Sequence, residues 1–258
     1  MKIGVIGGSG FYDFLPDMVV HELTTPFGKV NLSATTLDGV NVYFIPRHGS
    51  GHSVPPHLVN YRANIHAFHQ LGVTRILSTN AVGSMATGIK PGDFVLLDQF
   101  ISLYGTETFF SGEFETTLRS GKKVGGVRHV DITDPYCQAI RQSFIRVLGN
   151  SKGFHDRGTY IMCKGPRFET RAEIELYSKF GNLVGMTNAH ECSLAREVEI
   201  CYGTLCVVTN FAAGIQDRVT HGEVVDLFAK KIGEIKQSFK SVIKDLVSND
   251  ESCNCYGD

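Results

Sequence analysis

The sequence carries almost no net charge: 25 Lys and Arg residues against 26 Asp and Glu leave −1 over 258 residues. No basic stripe runs through it. That excludes long-range steering of a nucleic acid, so any anion must be caught by local groups. Long apolar runs are missing as well. None approaches the roughly 20 residues of a membrane-spanning helix, and the first residues lack the charged and apolar regions of a secretory leader. A cytoplasmic protein with no membrane partner is the expectation. There is no C-x-x-C pair and no H-E-x-x-H run, so no metal site is predicted. Internal repeats, low-complexity tracts and linkers are also missing, which makes one domain the simplest organisation.

What is present has the balance of a globular enzyme, with 42% hydrophobic and 20% charged residues. Cys137, Cys163, Cys192, Cys201 and Cys206 sit in apolar surroundings and read as buried thiols rather than ligands. Cys253 and Cys255 lie in a polar tail, SNDESCNCYGD, which reads as solvated, with a redox pair or disulfide as the other reading. The boundaries expected are a domain over 1–248 and a Cys-x-Cys tail over 249–258.

Short β-branched runs ending in small or polar residues predict strands at 2–6, 40–45, 75–79, 94–98, 159–163 and 203–209. Helical periodicity falls between them. Residues 55–71 open on Pro55-Pro56 and place Leu58, Tyr61, Ile65 and Phe68 at spacings of three and four. Asp134 as N-cap and Pro135 at the first turn predict a helix over 135–148, stopped by Gly149. Further helices are expected at 169–180, 189–202 and about 221–247. Alternating strands and helices define an α/β fold with a mixed, mostly parallel central sheet flanked by helices. A hairpin closed at Asp38-Gly39 interrupts the alternation, and 103–128 reads as a long surface loop.

The opening GVIGGSG is a strand running into a glycine turn. Such turns expose consecutive backbone N–H groups that can hold an anion, and Ser9 adds a hydroxyl. A dinucleotide would need a helix directly after the loop and a second parallel strand. Pro16 instead cuts any helix short and hairpin-like sequence follows. A nicotinamide-dependent oxidoreductase is therefore the remote alternative, and a small anion fits better. Three other strand ends carry matching chemistry: Arg47 and His48 in IPRHGSGH, Asn80 and Ala81 in STNAVGSM, and Thr187 in GMTNAHE. An arginine at the end of an apolar strand needs an anionic partner, either a phosphate or a structural carboxylate.

The segments GVIGGSG, RHG, PPHLVNYRANI, TNAVGS, IKPGD, GPRFETRAE, LARE and TNFAAG resemble, in order and spacing, those of the purine nucleoside phosphorylase / methylthioadenosine phosphorylase family of trimeric type. The likeness spans residue 3 to about 230. It implies phosphorolysis of a purine nucleoside: inorganic phosphate, a co-substrate, attacks the anomeric carbon and the base departs. No cofactor and no metal are implied. By resemblance, phosphate is held by Ser9, Arg47, His48, Asn80, Ala81 and Thr187, and Met186 lies along the ribose. His129 resembles a histidine that reaches a neighbouring subunit's site, which implies a homotrimer or a dimer of trimers.

The base pocket separates two branches. Methylthioadenosine enzymes usually read T-D-x-D where this chain has Thr209-Asn210-Phe211-Ala212. The Asn210 amide can donate to N7 or to a 6-oxo group but cannot supply a proton. GPRFETRAE matches the form of 6-oxopurine enzymes: Phe168 would pack on the purine and Glu169 would accept the N1–H that adenine lacks. Catalytic roles are thus expected for Asn210, His48 and Glu169. His221, at the start of the last helix, tilts the 5′ preference toward a hydroxyl over a methylthio group. The expected function is 6-oxopurine nucleoside phosphorolysis (inosine, guanosine or methylthioinosine), with a methylthioadenosine phosphorylase as the alternative. Ala189-His190 departs from the usual proline before Glu191, and adds a histidine without an assigned role.

Overall fold

The computed structural model describes residues 1–8, 10–249, 252, 253 and 255, with Ser50 and Glu113 described by backbone only. Among the described residues thirteen strands and five α-helices are formed. The strands are β1 (Lys2–Gly7), β2 (Val19–Thr25), β3 (Gly28–Leu37), β4 (Val40–Pro46), β5 (Arg75–Ser84), β6 (Phe94–Leu96), β7 (Gln99–Ser102), β8 (Gly112–Thr117), β9 (Lys123–Gly126), β10 (Phe154–His155), β11 (Thr159–Met162), β12 (Leu183–Gly185) and β13 (Cys201–Phe211). The helices are α1 (Tyr61–Gln70), α2 (Gln138–Leu148), α3 (Arg171–Tyr177), α4 (Asn188–Glu197) and α5 (His221–Ser248).

One large sheet runs in the order β10-β6-β13-β5-β1-β4-β3-β2, with β12, β11 and β7 branching from β5. Its centre, β13-β5-β1-β4, is parallel. β1, β5 and β13 are buried along almost their whole length. Strands covered on both faces need apolar side chains pointing both ways, which is why these segments read as continuous β-branched runs rather than alternating ones. On one face Ile3, Val5, Leu77 and Leu205 pack under α2 and α5; on the other Ile6, Ile76 and Val208 pack under α1 and α4. Each fully buried Ile, Leu or Phe there contributes roughly 1.5–3 kcal/mol of apolar transfer.

Local signals account for most element ends. Asp38 (φ 49°) and Gly39 (φ 80°) take the left-handed conformations a two-residue hairpin turn requires. Thr220 and Glu223 form a reciprocal capping box at the start of α5, and Thr170 and Glu173 do the same for α3. Along α5, Val224, Phe228, Ile235, Phe239, Val242 and Leu246 are buried, following the 3.6-residue period.

Four expectations are corrected. The helix predicted from residue 55 begins at Tyr61, capped by the Asn60 side chain, and Leu58 stands exposed because the two prolines hold the chain extended and then in a single 3₁₀ turn. α2 begins at Gln138 with Cys137 as N-cap, so neither Asp134 nor Pro135 plays its predicted part. The helix predicted over 189–202 ends at Glu197, where Glu199 takes a positive φ and the chain turns into β13. The supposed loop 103–128 contains the β8–β9 hairpin, and Phe109 and Phe110 are buried in the main core beside Phe114. Among the described residues no helix is long and apolar enough to cross a membrane.

Candidate active site

Parallel strands that share a direction bring their C-terminal ends to one edge of the sheet, and an open α/β sheet binds ligands there. At that edge a cavity of about 310 Å³ is lined from β1 and its following loop by Gly8, from the end of β4 by Arg47, His48 and His52, and from β5 by Asn80 and Ala81. Thr209, Asn210 and Ala212 come from the end of β13, Met186 and Thr187 from the β12–α4 turn, Phe168 and Glu169 from the segment before α3, and His221 from α5. Eleven of the thirteen site residues, read across scattered segments, therefore meet in one cavity: the two others are Ser9, which lies outside the described residues, and His129, which is exposed and does not line it.

Close backbone approach explains the opening glycines. A Cβ on Gly8 would stand 2.9 Å from the Thr79 carbonyl oxygen and 3.2 Å from Arg47 Nη1. Gly10 takes φ 80°, which an L side chain adopts only under strain. The backbone at Gly8 thus lies directly beside the Arg47 guanidinium.

Arg47 is clamped. Its Nε and Nη2 form a bidentate pair with Glu191, the Nη2 contact being 2.8 Å, while Nη2 also donates to Ser78 Oγ at 2.8 Å and Nη1 to the Thr79 carbonyl at 3.0 Å. Both partners are almost wholly buried, each 1% exposed in its side chain, so the pair neutralises a charge that burial alone would make prohibitive. Of the two anionic partners the sequence left open, the structural carboxylate is present. A guanidinium has five N–H groups; four are used by described residues and one on Nη1 is left. Tyr202 Oη (2.7 Å) and Ser78 Oγ (3.1 Å) donate to the same carboxylate and complete its hydrogen bonding. Glu191 had no role assigned from sequence. Its signal is only that a carboxylate falls in the first turn of a helix whose other positions are nearly all buried.

Thr187 is oriented by a buried amide network. Asn80 Nδ2 donates to its hydroxyl oxygen at 2.7 Å, and Tyr160 Oη accepts its backbone N–H at 3.1 Å. With the oxygen engaged as acceptor, the Thr187 O–H remains as a donor at the cavity wall. Asn188 Nδ2 in turn donates to Asn80 Oδ1 at 3.2 Å and to Thr204 Oγ1 at 2.8 Å, which fixes the Asn80 amide.

His48 Nδ1 faces the Val54 carbonyl at 2.9 Å. A carbonyl only accepts, so Nδ1 carries the proton and Nε2 presents a lone pair. Burial, reinforced by the adjacent Arg47 charge, pushes the imidazole down to about 3, so it is neutral near pH 7. His52 packs against it at a tilt with centroids 4.5 Å apart, and His221 stands 5.4 Å beyond, so three imidazoles form one wall. His52 takes φ 58° and its Nδ1 is buried without a partner. No sequence signal marked it beyond its place in IPRHGSGH.

The other wall carries Glu169 and Asn210. Glu169 Oε1 is buried with no hydrogen-bond partner, and burial raises its carboxyl above the ordinary range. Asn210 sits where β13 slips register against β5, between Val208 and Asn210. Such a bulge re-aims a side chain at the end of a strand, and Gly83 opposite leaves room, since a Cβ there would be 3.3 Å from Asn210 Nδ2. Thr209 Oγ1 donates to Asn210 Oδ1 and Nδ2 donates to the Phe211 carbonyl, both at 2.9 Å, leaving the second Nδ2 hydrogen available. Gly165 (φ 64°) makes way for Met186, whose sulfur would lie 2.5 Å from a Cβ. His190 points elsewhere: it stacks on Tyr61 at 4.6 Å and its Nδ1 accepts the Glu107 N–H at 3.1 Å.

A cavity with polar and apolar walls, built on the strand ends of a mixed α/β sheet, defines an α/β protein with a small-ligand site. The chain belongs to the phosphorylase superfamily, whose pattern matches residues 2–246. It is 45% identical over 260 residues to the 6-oxopurine nucleoside phosphorylase of Pyrococcus furiosus, covering 98% of this chain and 96% of that one. It is 38% identical over 257 residues to the S-methyl-5′-thioadenosine phosphorylase of Pyrococcus horikoshii, with 98% and 96% covered. Among solved structures, methylthioadenosine phosphorylase from Schistosoma mansoni in complex with adenine superposes with a TM-score of 0.86 at 33% identity, over 97% of this chain and 93% of that one.

Proposed function

We propose that the chain is a phosphate-dependent 6-oxopurine nucleoside phosphorylase, cleaving the N-glycosidic bond to give a free purine and ribose 1-phosphate or its 5-methylthio analogue. The observation that carries this reading is the buried, unpartnered Glu169 Oε1 on the wall that also holds an amide, Asn210. A buried acceptor without a donor costs about 1–3 kcal/mol. Hypoxanthine and guanine carry an N1–H that would satisfy it and hold the carboxylate in its charged form. Adenine would place a second lone pair there.

Phosphate sits in the corner made by Gly8, the Thr187 hydroxyl, the Asn80-Ala81 segment and the remaining Arg47 N–H. His48 Nε2 accepts a hydrogen from a ribose hydroxyl or from a protonated phosphate oxygen. The reaction develops positive charge on the sugar and negative charge on the departing base. Phosphate held against the sugar stabilises the first; the free Asn210 N–H, aimed at N7 or the 6-oxo group, stabilises the second. Phe168 covers the purine, Met186 and Ala212 flank the nucleoside, and His221 meets the 5′ group. His129, exposed and outside the cavity lining, serves the cavity of a neighbouring copy, so the working unit is a trimer or a pair of trimers. Incubation with inosine should release hypoxanthine only when phosphate is present, followed by chromatography of the products. Adenine released from methylthioadenosine, with inosine untouched, would overturn the assignment.

A further inference from the structure

We propose that Cys137, Cys201, Cys253 and Cys255 form a tetrathiolate site for a zinc ion, which fastens the C-terminal tail to the body of the domain. The sulfur atoms of these four residues all lie within 4.8 Å of one another, and three of the four residues are buried. They come from three separate places: Cys137 caps α2, Cys201 opens β13, and the Cys-x-Cys pair follows α5. At Cys255 the expectation of a solvated residue does not hold, because it is only 9% exposed and packs with the apolar cluster between the sheet, α2 and α5.

The geometry fits a metal better than either alternative. Zinc–sulfur bonds of about 2.3 Å in a tetrahedron put the sulfurs about 3.8 Å apart. Cys201 and Cys253 are 3.3 Å apart and all four residues are free thiols, whereas a disulfide holds its sulfurs at about 2.05 Å. Simple packing does not account for the arrangement either. Ordering a polar tail costs chain entropy, and two small thiols bury too little apolar surface to offset it. Four thiolates on one soft cation do offset it, because metal binding is coupled to the ordering of the segment that supplies the ligands. Four sulfur ligands with no oxygen or nitrogen donor select zinc over hard cations, and a full set of four leaves no open position, which makes the site structural. Binding releases the four thiol protons and leaves the complex with two net negative charges. Cys137 stands at the N-terminus of the 11-residue α2, where the helix dipole favours negative charge.

The whole chain, purified anaerobically with a sulfur-free reductant, should contain one zinc per polypeptide by elemental analysis. Replacing zinc with Co²⁺ should give the intense visible absorption of a tetrahedral thiolate complex. The double variant C253S/C255S should lose both signals and melt at lower temperature while retaining phosphorolysis, since neither residue lines the cavity. Should that variant fail to accumulate, titrating the unaltered protein with a mercurial should release one zinc as four thiols react. Four free thiols that bind neither zinc nor Co²⁺ would overturn the proposal. So would an intact mass showing disulfides among these four cysteines under the same reducing preparation.

Discussion

At the scale of single residues, the proposed discrimination between 6-oxo and 6-amino purines rests on one amide, Asn210, and one carboxylate, Glu169, that line the same cavity. Both residue types were legible from sequence, because each lies inside a contiguous motif. Their environments were not. That Thr209 pins the Asn210 amide, and that a strand bulge turns it, depends on the pairing of β13 with β5. Asn210→Asp keeps the shape and removes the NH₂ donor while adding a charge where the base becomes anionic. Inosine turnover should fall on the order of 10²–10³-fold, the usual effect of losing one charge-stabilising donor. 6-Aminopurine nucleosides should gain measurable turnover, since a protonated carboxyl can donate to N7 and a carboxylate can accept from the amino group. Steady-state kinetics with inosine and adenosine test both; unchanged inosine turnover would remove Asn210 from the base pocket.

At the scale of elements, the site is an edge where several strands end together, and its rigidity rests on contacts between segments far apart in the chain. Arg47 and Glu191 are separated by 144 residues. No local pattern reveals such a partner, which is why an arginine at the end of β4 could be read from sequence while its clamp could not. The same holds for the 103–128 segment: its glycines, serines and charges masked Phe109 and Phe110, whose burial depends on Phe27 and the α1 face. By contrast α5, the Asp38-Gly39 turn and the central strands carry their period and caps within a short window, and their structure follows the sequence closely. Glu191→Gln tests the clamp. It removes the counter-charge of a buried guanidinium at nearly constant volume, and breaking such a pair costs about 3–5 kcal/mol. Urea unfolding should show a loss of that size. Because Arg47 also lines the cavity, the apparent KM for phosphate should rise in the fraction that stays folded. A variant as stable as the parent would mean that the pair's charge is compensated elsewhere.

For the molecule as a whole, folding buries an unusual set of neutral imidazoles, and this fixes the sign of the acid response. Burial lowers the proton affinity of His48, His52, His66, His69 and His190, with Arg47 adding to the effect at His48, His221 at His52 and His69 at His66. In the unfolded chain all five titrate near about 6.5. As pH falls through that value the unfolded state binds protons that the folded state refuses, so stability is lost on acidification. For His48 the loss continues to its folded value of about 3. Glu169 and Glu197 act in the opposite direction: burial raises both, so the folded state holds their protons more readily as pH falls toward their folded values. Two carboxyls oppose five imidazoles, so the imidazoles set the net sign. The thermal midpoint should therefore decline from pH 7.5 to pH 5.5, with the steepest change near the ordinary histidine range. His66→Phe, away from the cavity and packed among Phe27, Phe109 and Phe114, removes one of these groups while filling the same space. Its midpoint should fall less than the parent's over that interval. A parent midpoint that rose on acidification would mean that the buried imidazoles are charged in the folded protein.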